Sequence, residues 1–114
     1  MKNNVDKCTK CGFCKFNCPV FKITLKETFG PRGKAILINK NILNEIFNNC
    51  TLCKACKFEC PLGIDLEIDN IREKMIKQGI ETEANKKMIE NIRKYGNPFG
   101  KIEKGKIPKE LYCC

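Results

Sequence analysis

The sequence predicts an all-α fold carrying two cysteine-rich loops and a helical C-terminal extension. Three observations predict it. Outside the cysteine runs, apolar residues recur at three- and four-residue spacing. Helix start and stop signals bracket those stretches. Neither the segment between the cysteine runs nor the residues before them alternate apolar with polar as a half-buried strand does. A chain of 114 residues has room for one small core. The expected division is a domain over residues 1–100 and an extended tail over 101–114.

The first element is a loop. Residues 8 to 19 read C-T-K-C-G-F-C-K-F-N-C-P, and residues 50 to 61 read C-T-L-C-K-A-C-K-F-E-C-P, identical at eight of twelve positions at an offset of 42. The chain therefore contains an internal repeat. In each copy the two-residue gaps make a tight turn that points three sulfurs into one concavity, and Pro19 or Pro61, with a fixed φ and no donor, turns the chain away after the fourth cysteine. Between the loops, Gly30-Pro31 opens a helix on which Ala35, Ile38, Ile42 and Ile46 recur up to Asn49, with Asn39 to Asn41 dividing it into two shorter pieces. After the second loop, Asp65 is the expected cap of a helix whose stripe is Ile64, Ile68, Ile71 and Met75, ending at Gly79 and covering one of the sites built by the loops. A third helix runs from about Thr82 to Tyr95, with Met88, Ile89, Ile92 and Tyr95 as a core stripe and Gly96 as its stop. Asn97-Pro98-Phe99-Gly100 reads as a turn, and Lys101 to Glu110 as extended.

The cysteine spacing specifies a metal chemistry. Each copy fits the run C-x2-C-x2-C-x3-C-P, in which three cysteines wrap one 4Fe-4S cluster and the fourth ligates the other. The expected cofactors are two 4Fe-4S clusters. Cluster I takes Cys8, Cys11, Cys14 and the remote Cys60; cluster II takes Cys50, Cys53, Cys56 and the remote Cys18. Phe13, Phe16, Val20, Ala55, Phe58 and Leu62 are the expected dry sheath. All-cysteine zinc sites draw instead on two separated C-x2-C pairs. A redox-active C-x-x-C dithiol belongs beside a helix N-terminus in a βαβ unit. Met1 to Lys7 contains no apolar leader segment, so disulfides are the weaker use of ten cysteines and a cytoplasmic location is the expectation.

Charge and composition narrow the function. Lys and Arg outnumber Asp and Glu by 22 to 13, but 19 of the 22 are Lys, which is poorly suited to bidentate base or phosphate recognition. Two oxidised clusters at roughly −2 each would bring the formal +9 to about +5. No nucleic-acid partner is expected. The longest apolar run, Ala35 to Ile38, is far short of the roughly 20 residues of a transmembrane helix. His is absent, which removes the commonest general base, and there is no G-x-G-x-x-G nucleotide fingerprint.

With both cysteine runs, Gly30-Pro31-Arg32-Gly33, Cys60-Pro61-Leu62-Gly63-Ile64 and Gly96-Asn97-Pro98-Phe99-Gly100 in place, the sequence resembles the α-helical dicluster ferredoxins. Among these are the dicluster iron-sulfur protein of heterodisulfide reductase and the iron-sulfur domains of glycolate oxidase and anaerobic glycerol-3-phosphate dehydrogenase. The resemblance covers residues 5 to about 100. It implies an electron-transfer subunit, non-catalytic in itself, that relays single electrons to a partner carrying a flavin or a cysteine-rich catalytic module. Larger members continue into such a module, whereas this sequence ends on Leu111-Tyr112-Cys113-Cys114. An alternative is a thiol- or disulfide-acting fragment of a cysteine-rich oxidoreductase using Cys113 and Cys114. A zinc-stabilised nucleic-acid-binding module is a third reading, which metal content would separate from the other two.

Overall fold

The computed structural model describes residues 4–108. The expectations placed on Cys113 and Cys114 lie outside them. The described residues contain helices and turns and no strand. The α-helices are α1 (Pro19–Thr24), α2 (Pro31–Asn39), α3 (Ala55–Glu59), α4 (Ile68–Lys77) and α5 (Glu83–Tyr95), with short 3-10 helices between them. None is long and apolar enough to cross a membrane. By contact the chain divides into two units, Met1–Ile80 and Glu81–Cys114.

In the first unit, each cysteine run ends where a helix starts or stops. Cys18 caps α1, its sulfur accepting from the Phe21 N–H at 3.4 Å, and Pro19 takes the first helical position, where a missing N–H costs nothing. Pro31 does the same for α2. The expected break in the spacer is real: α2 ends at Asn39, Asn41 turns left-handed at φ 55°, and the chain resumes as the 3-10 helix Glu45–Asn49, capped by the Asn44 side chain. Its buried residue is Phe47, not Ile42 or Ile46, because the break shifts the helical register.

The core of this unit is Val5, Ala35, Phe47, Ile64, Leu66, Ile68, Ile71 and Met75, with Cys8, Cys50, Cys56 and Cys60 packed against it. The stripe expected after the second run is therefore buried as read. Its cap is not as expected. Asp65 accepts from the Glu67 N–H at 3.0 Å and pairs with Lys54 and Lys57, each at 3.2 Å, so it braces the second loop while Glu67 takes the capping position.

In the second unit, α5 begins at Thr82, whose hydroxyl caps it by accepting from the Asn85 N–H, and Gly96 stops it at φ 76° as expected. None of its residues is buried, so the stripe ending at Ile92 and Tyr95 is not core. The 97–100 turn is fastened by Asn91, whose side-chain amide donates to Pro98 O at 3.0 Å.

Candidate metal centres

The two cysteine runs fold alike. Lys10 and Leu52 are left-handed at φ 61° and 58°, and Gly12 and Lys54 follow at 86° and 62°. Lys15 N donates to Gly12 O at 3.1 Å, as Lys57 N does to Lys54 O at 3.0 Å. Cys18 N donates to Lys15 O at 3.2 Å, as Cys60 N does to Lys57 O at 3.3 Å. The runs also touch at equivalent positions, where Asn17 Nδ2 donates to Glu59 Oε1 at 2.6 Å. Lys54 occupies the left-handed position that glycine fills in the first run, and its ammonium is fixed by Asp65.

This doubled loop frames two cavities. The first, about 220 Å³, is lined by Cys8, Cys11, Cys14 and Cys60. The second, about 30 Å³, is lined by Cys50, Cys53, Cys56 and Cys18. Each thus draws three cysteines from one run and the fourth from the other. A further space of about 30 Å³ lies between them, walled by Cys8, Cys14, Cys56 and Cys60 together with Pro31, Ala35, Ile64 and Leu66. It is the lead-in to α4, through Ile64 and Leu66, rather than α4 itself, that lines the cavities.

All eight cysteines are free thiols, with Cys11 and Cys53 exposed and the rest partly covered. Burial, joined by neighbouring cysteines, pushes both the Cys14 and the Cys56 thiol up to about 11. Backbone N–H groups work the other way at the rims, where Phe13 lowers Cys11 and Ala55 lowers Cys53. The Leu52 N–H also donates to Cys50 Sγ at 3.4 Å. Both donor sets fit a 4Fe-4S cubane: four thiols, N–H groups on sulfur, and no carboxylate among the lining residues. The second cavity is the smaller of the two. Among the described residues, no group of three or more His, Cys, Asp or Glu side chains could hold a single metal ion.

The expected apolar sheath is present in part. Phe13 and Leu62 line the first cavity and Val20 the second, though Phe13 and Leu62 are also exposed on their other sides. Phe16 and Phe58 line neither and are 71% and 83% exposed. Pro31, Ala35, Ile64 and Leu66 supply the dry wall between the cavities.

Two supports of the site carry no signal in the sequence expectations. Arg72 on α4 donates to the carbonyls of Phe47, Asn48 and Cys50 at 3.0, 2.8 and 2.5 Å, fixing the entry to the second run. Nothing in its sequence context distinguishes it from a solvated helix arginine. Glu27 receives Arg32 through Nε at 2.7 Å and Nη2 at 3.1 Å, and Lys15 at 3.0 Å. The Arg32 hydrogen bonds, against some burial and with help from Lys15, hold the Glu27 carboxyl below its ordinary range.

The family model described as a 4Fe-4S dicluster domain matches residues 4–64. No curated protein and no solved structure matches the chain.

Proposed function

The chain belongs to the 4Fe-4S dicluster domain family, and from that membership we propose that it is an electron-transfer protein whose two clusters are held by crossed sets of ligands. Cluster I would be held by Cys8, Cys11, Cys14 and Cys60, and cluster II by Cys50, Cys53, Cys56 and Cys18. The observation that carries this reading is the pair of cavities, each walled by three cysteines of one run and the fourth of the other. Bound there, a 4Fe-4S cluster supplies a one-electron couple whose potential follows from its charge, hydrogen bonds and exposure.

The chain's own residues do the rest. Pro31, Ala35, Ile64 and Leu66 keep water from the space between the sites, so that electrons would pass over a short, dry path. Cys11 and Cys53 at the rims give each site a solvent-facing sulfur. Around them, exposed Phe13, Phe16, Phe58 and Leu62 offer an apolar landing surface, and the Lys-rich exterior favours an acidic rim on the partner. That partner, a protein carrying a flavin or a cysteine-rich catalytic module, would take or supply single electrons, as in the heterodisulfide reductase, glycolate oxidase and glycerol-3-phosphate dehydrogenase complexes that the sequence resembles.

The test is anaerobic co-purification followed by electron transfer. The chemically reduced chain should reduce the protein that accompanies it and turn over no substrate alone. Substrate turnover by the pure chain, lost on changing Cys113 and Cys114 to serine, would refute the carrier reading.

A further inference from the structure

The two cavities hold the same donors but not the same charge. Arg32 lines the first and is ion-paired with the Glu27 carboxylate at 2.7 Å, which it shares with Lys15 at 3.0 Å. Lys54 lines the second and is ion-paired likewise, with Asp65 at 3.2 Å and Asp69 at 3.8 Å. Lys34 also lines the second, and there the matching fails. It is 2% exposed on the first turns of α2, and its ammonium donates to the neutral carbonyl of Phe29. Among the described residues it forms no ion pair with a carboxylate.

A buried, uncancelled charge acts through a low dielectric, whereas an exposed ion pair is screened by its partner and by water. Reducing a cluster adds one electron and moves no proton, so it adds one negative charge. A nearby positive charge therefore stabilises the reduced form more than the oxidised form and raises the potential. Resting on the crossed ligation proposed above, we infer that Lys34 is a potential-setting residue. Its ammonium raises the potential of the cluster in the second cavity, while the Glu27 ion pair weakens the corresponding effect of Arg32 in the first. Two nearly identical cysteine runs are thereby made unequal stepping stones. The first cavity is also the larger, about 220 Å³ against about 30 Å³, and greater solvent exposure of a cluster shifts its potential too. The shift on substitution, rather than the wild-type difference, is thus the quantity that measures Lys34.

The experiment uses the full chain, reconstituted anaerobically and assayed for iron and sulfide before a redox titration followed by electron paramagnetic resonance. Lys34→Met should lower one midpoint potential and leave the other, and Lys34→Arg should restore it. Glu27→Gln should raise the midpoint that Lys34→Met leaves untouched. Wild-type protein holding well under about eight irons would refute the two-cluster reading itself, and the proposal with it. Full loading with no midpoint moved by Lys34→Met, or with both moved equally, would refute the proposal alone. If Lys34→Met does not load, Glu27→Gln decides. A raised single midpoint supports the charge asymmetry, and unmoved midpoints overturn it.

Discussion

Glycine at position 33 is required by distance. A Cβ there would strike the carbonyl oxygen of Glu27 and stand 2.9 Å from its carbon and 3.1 Å from Thr28 Cα. These are backbone atoms and cannot rotate aside, so Gly33→Ala should push α2 away from the 3-10 helix Glu27–Phe29 and cost about 1–3 kcal/mol or more. Denaturant unfolding of the loaded protein checks it, and an unchanged midpoint would contradict the packing. The neighbouring Glu27 makes a prediction in pH. Its carboxyl lies below 4.5 in the folded chain, so its contribution is present above 4.5 and lost as pH falls through the lowered value. The side chain is 40% exposed, so Glu27→Gln should cost less than about 1 kcal/mol at neutral pH and nothing at low pH. A loss of stability that persists below the folded-state value would assign Glu27 a role other than charge. At this scale the sequence marks Gly30-Pro31-Arg32-Gly33 as a unit but does not say why. The reasons lie in residues it does not adjoin: Glu27 for Arg32 and Gly33, and Cys14 and Cys56 for Pro31, which walls the space those cysteines share.

Two apolar stripes, both at helical spacing, have different fates. Ile64, Ile68, Ile71 and Met75 are buried, whereas Ile92 on α5 is 47% exposed. Met75→Ala should therefore cost about 2–5 kcal/mol, and Ile92→Ala should fall within roughly 1 kcal/mol of wild type. Equal effects in thermal unfolding would mean that α5 buries its stripe. Periodicity reports that a helix has an apolar face and not what covers it, which is why both stripes read alike in sequence. Boundaries are easier to read. Pro31, Thr82, Gly79 and Gly96 act through their own backbones or hydroxyls and need no distant partner. Asp65 reads as a cap because sequence displays only its neighbours; its ion pairs with Lys54 and Lys57 come from the second cysteine run. The exposure of the Phe16 and Phe58 rings is hidden for the same reason, since adjacency to a cysteine in sequence does not decide which way a tight loop turns its side chains.

For the whole molecule, the first unit has eight buried apolar residues, and four of the cysteines pack against them. With the proposed cluster ligands so placed, chelation should abolish the cooperative thermal transition, as in other small domains whose metal binding supplies folding energy. A chelated protein that melts as before would contradict that. Electron transfer to an acidic partner should slow as salt rises, because steering is screened over about 8 to 10 Å. Salt-independent rates would point to a permanent apolar interface. The repeat, its eight cysteines and the helical class are legible because they are written in local spacing. The crossed ligation proposed for the runs is read from the fourth cysteine and its proline, and each cavity is lined by three cysteines of one run and the fourth of the other. The most direct measurement is spectroscopy of Cys18→Ser and Cys60→Ser after anaerobic reconstitution. Cys18→Ser should perturb only the cluster wrapped by Cys50, Cys53 and Cys56, and Cys60→Ser only that wrapped by Cys8, Cys11 and Cys14. Changes confined to each cysteine's own run, or stoichiometric zinc in place of iron, would contradict it.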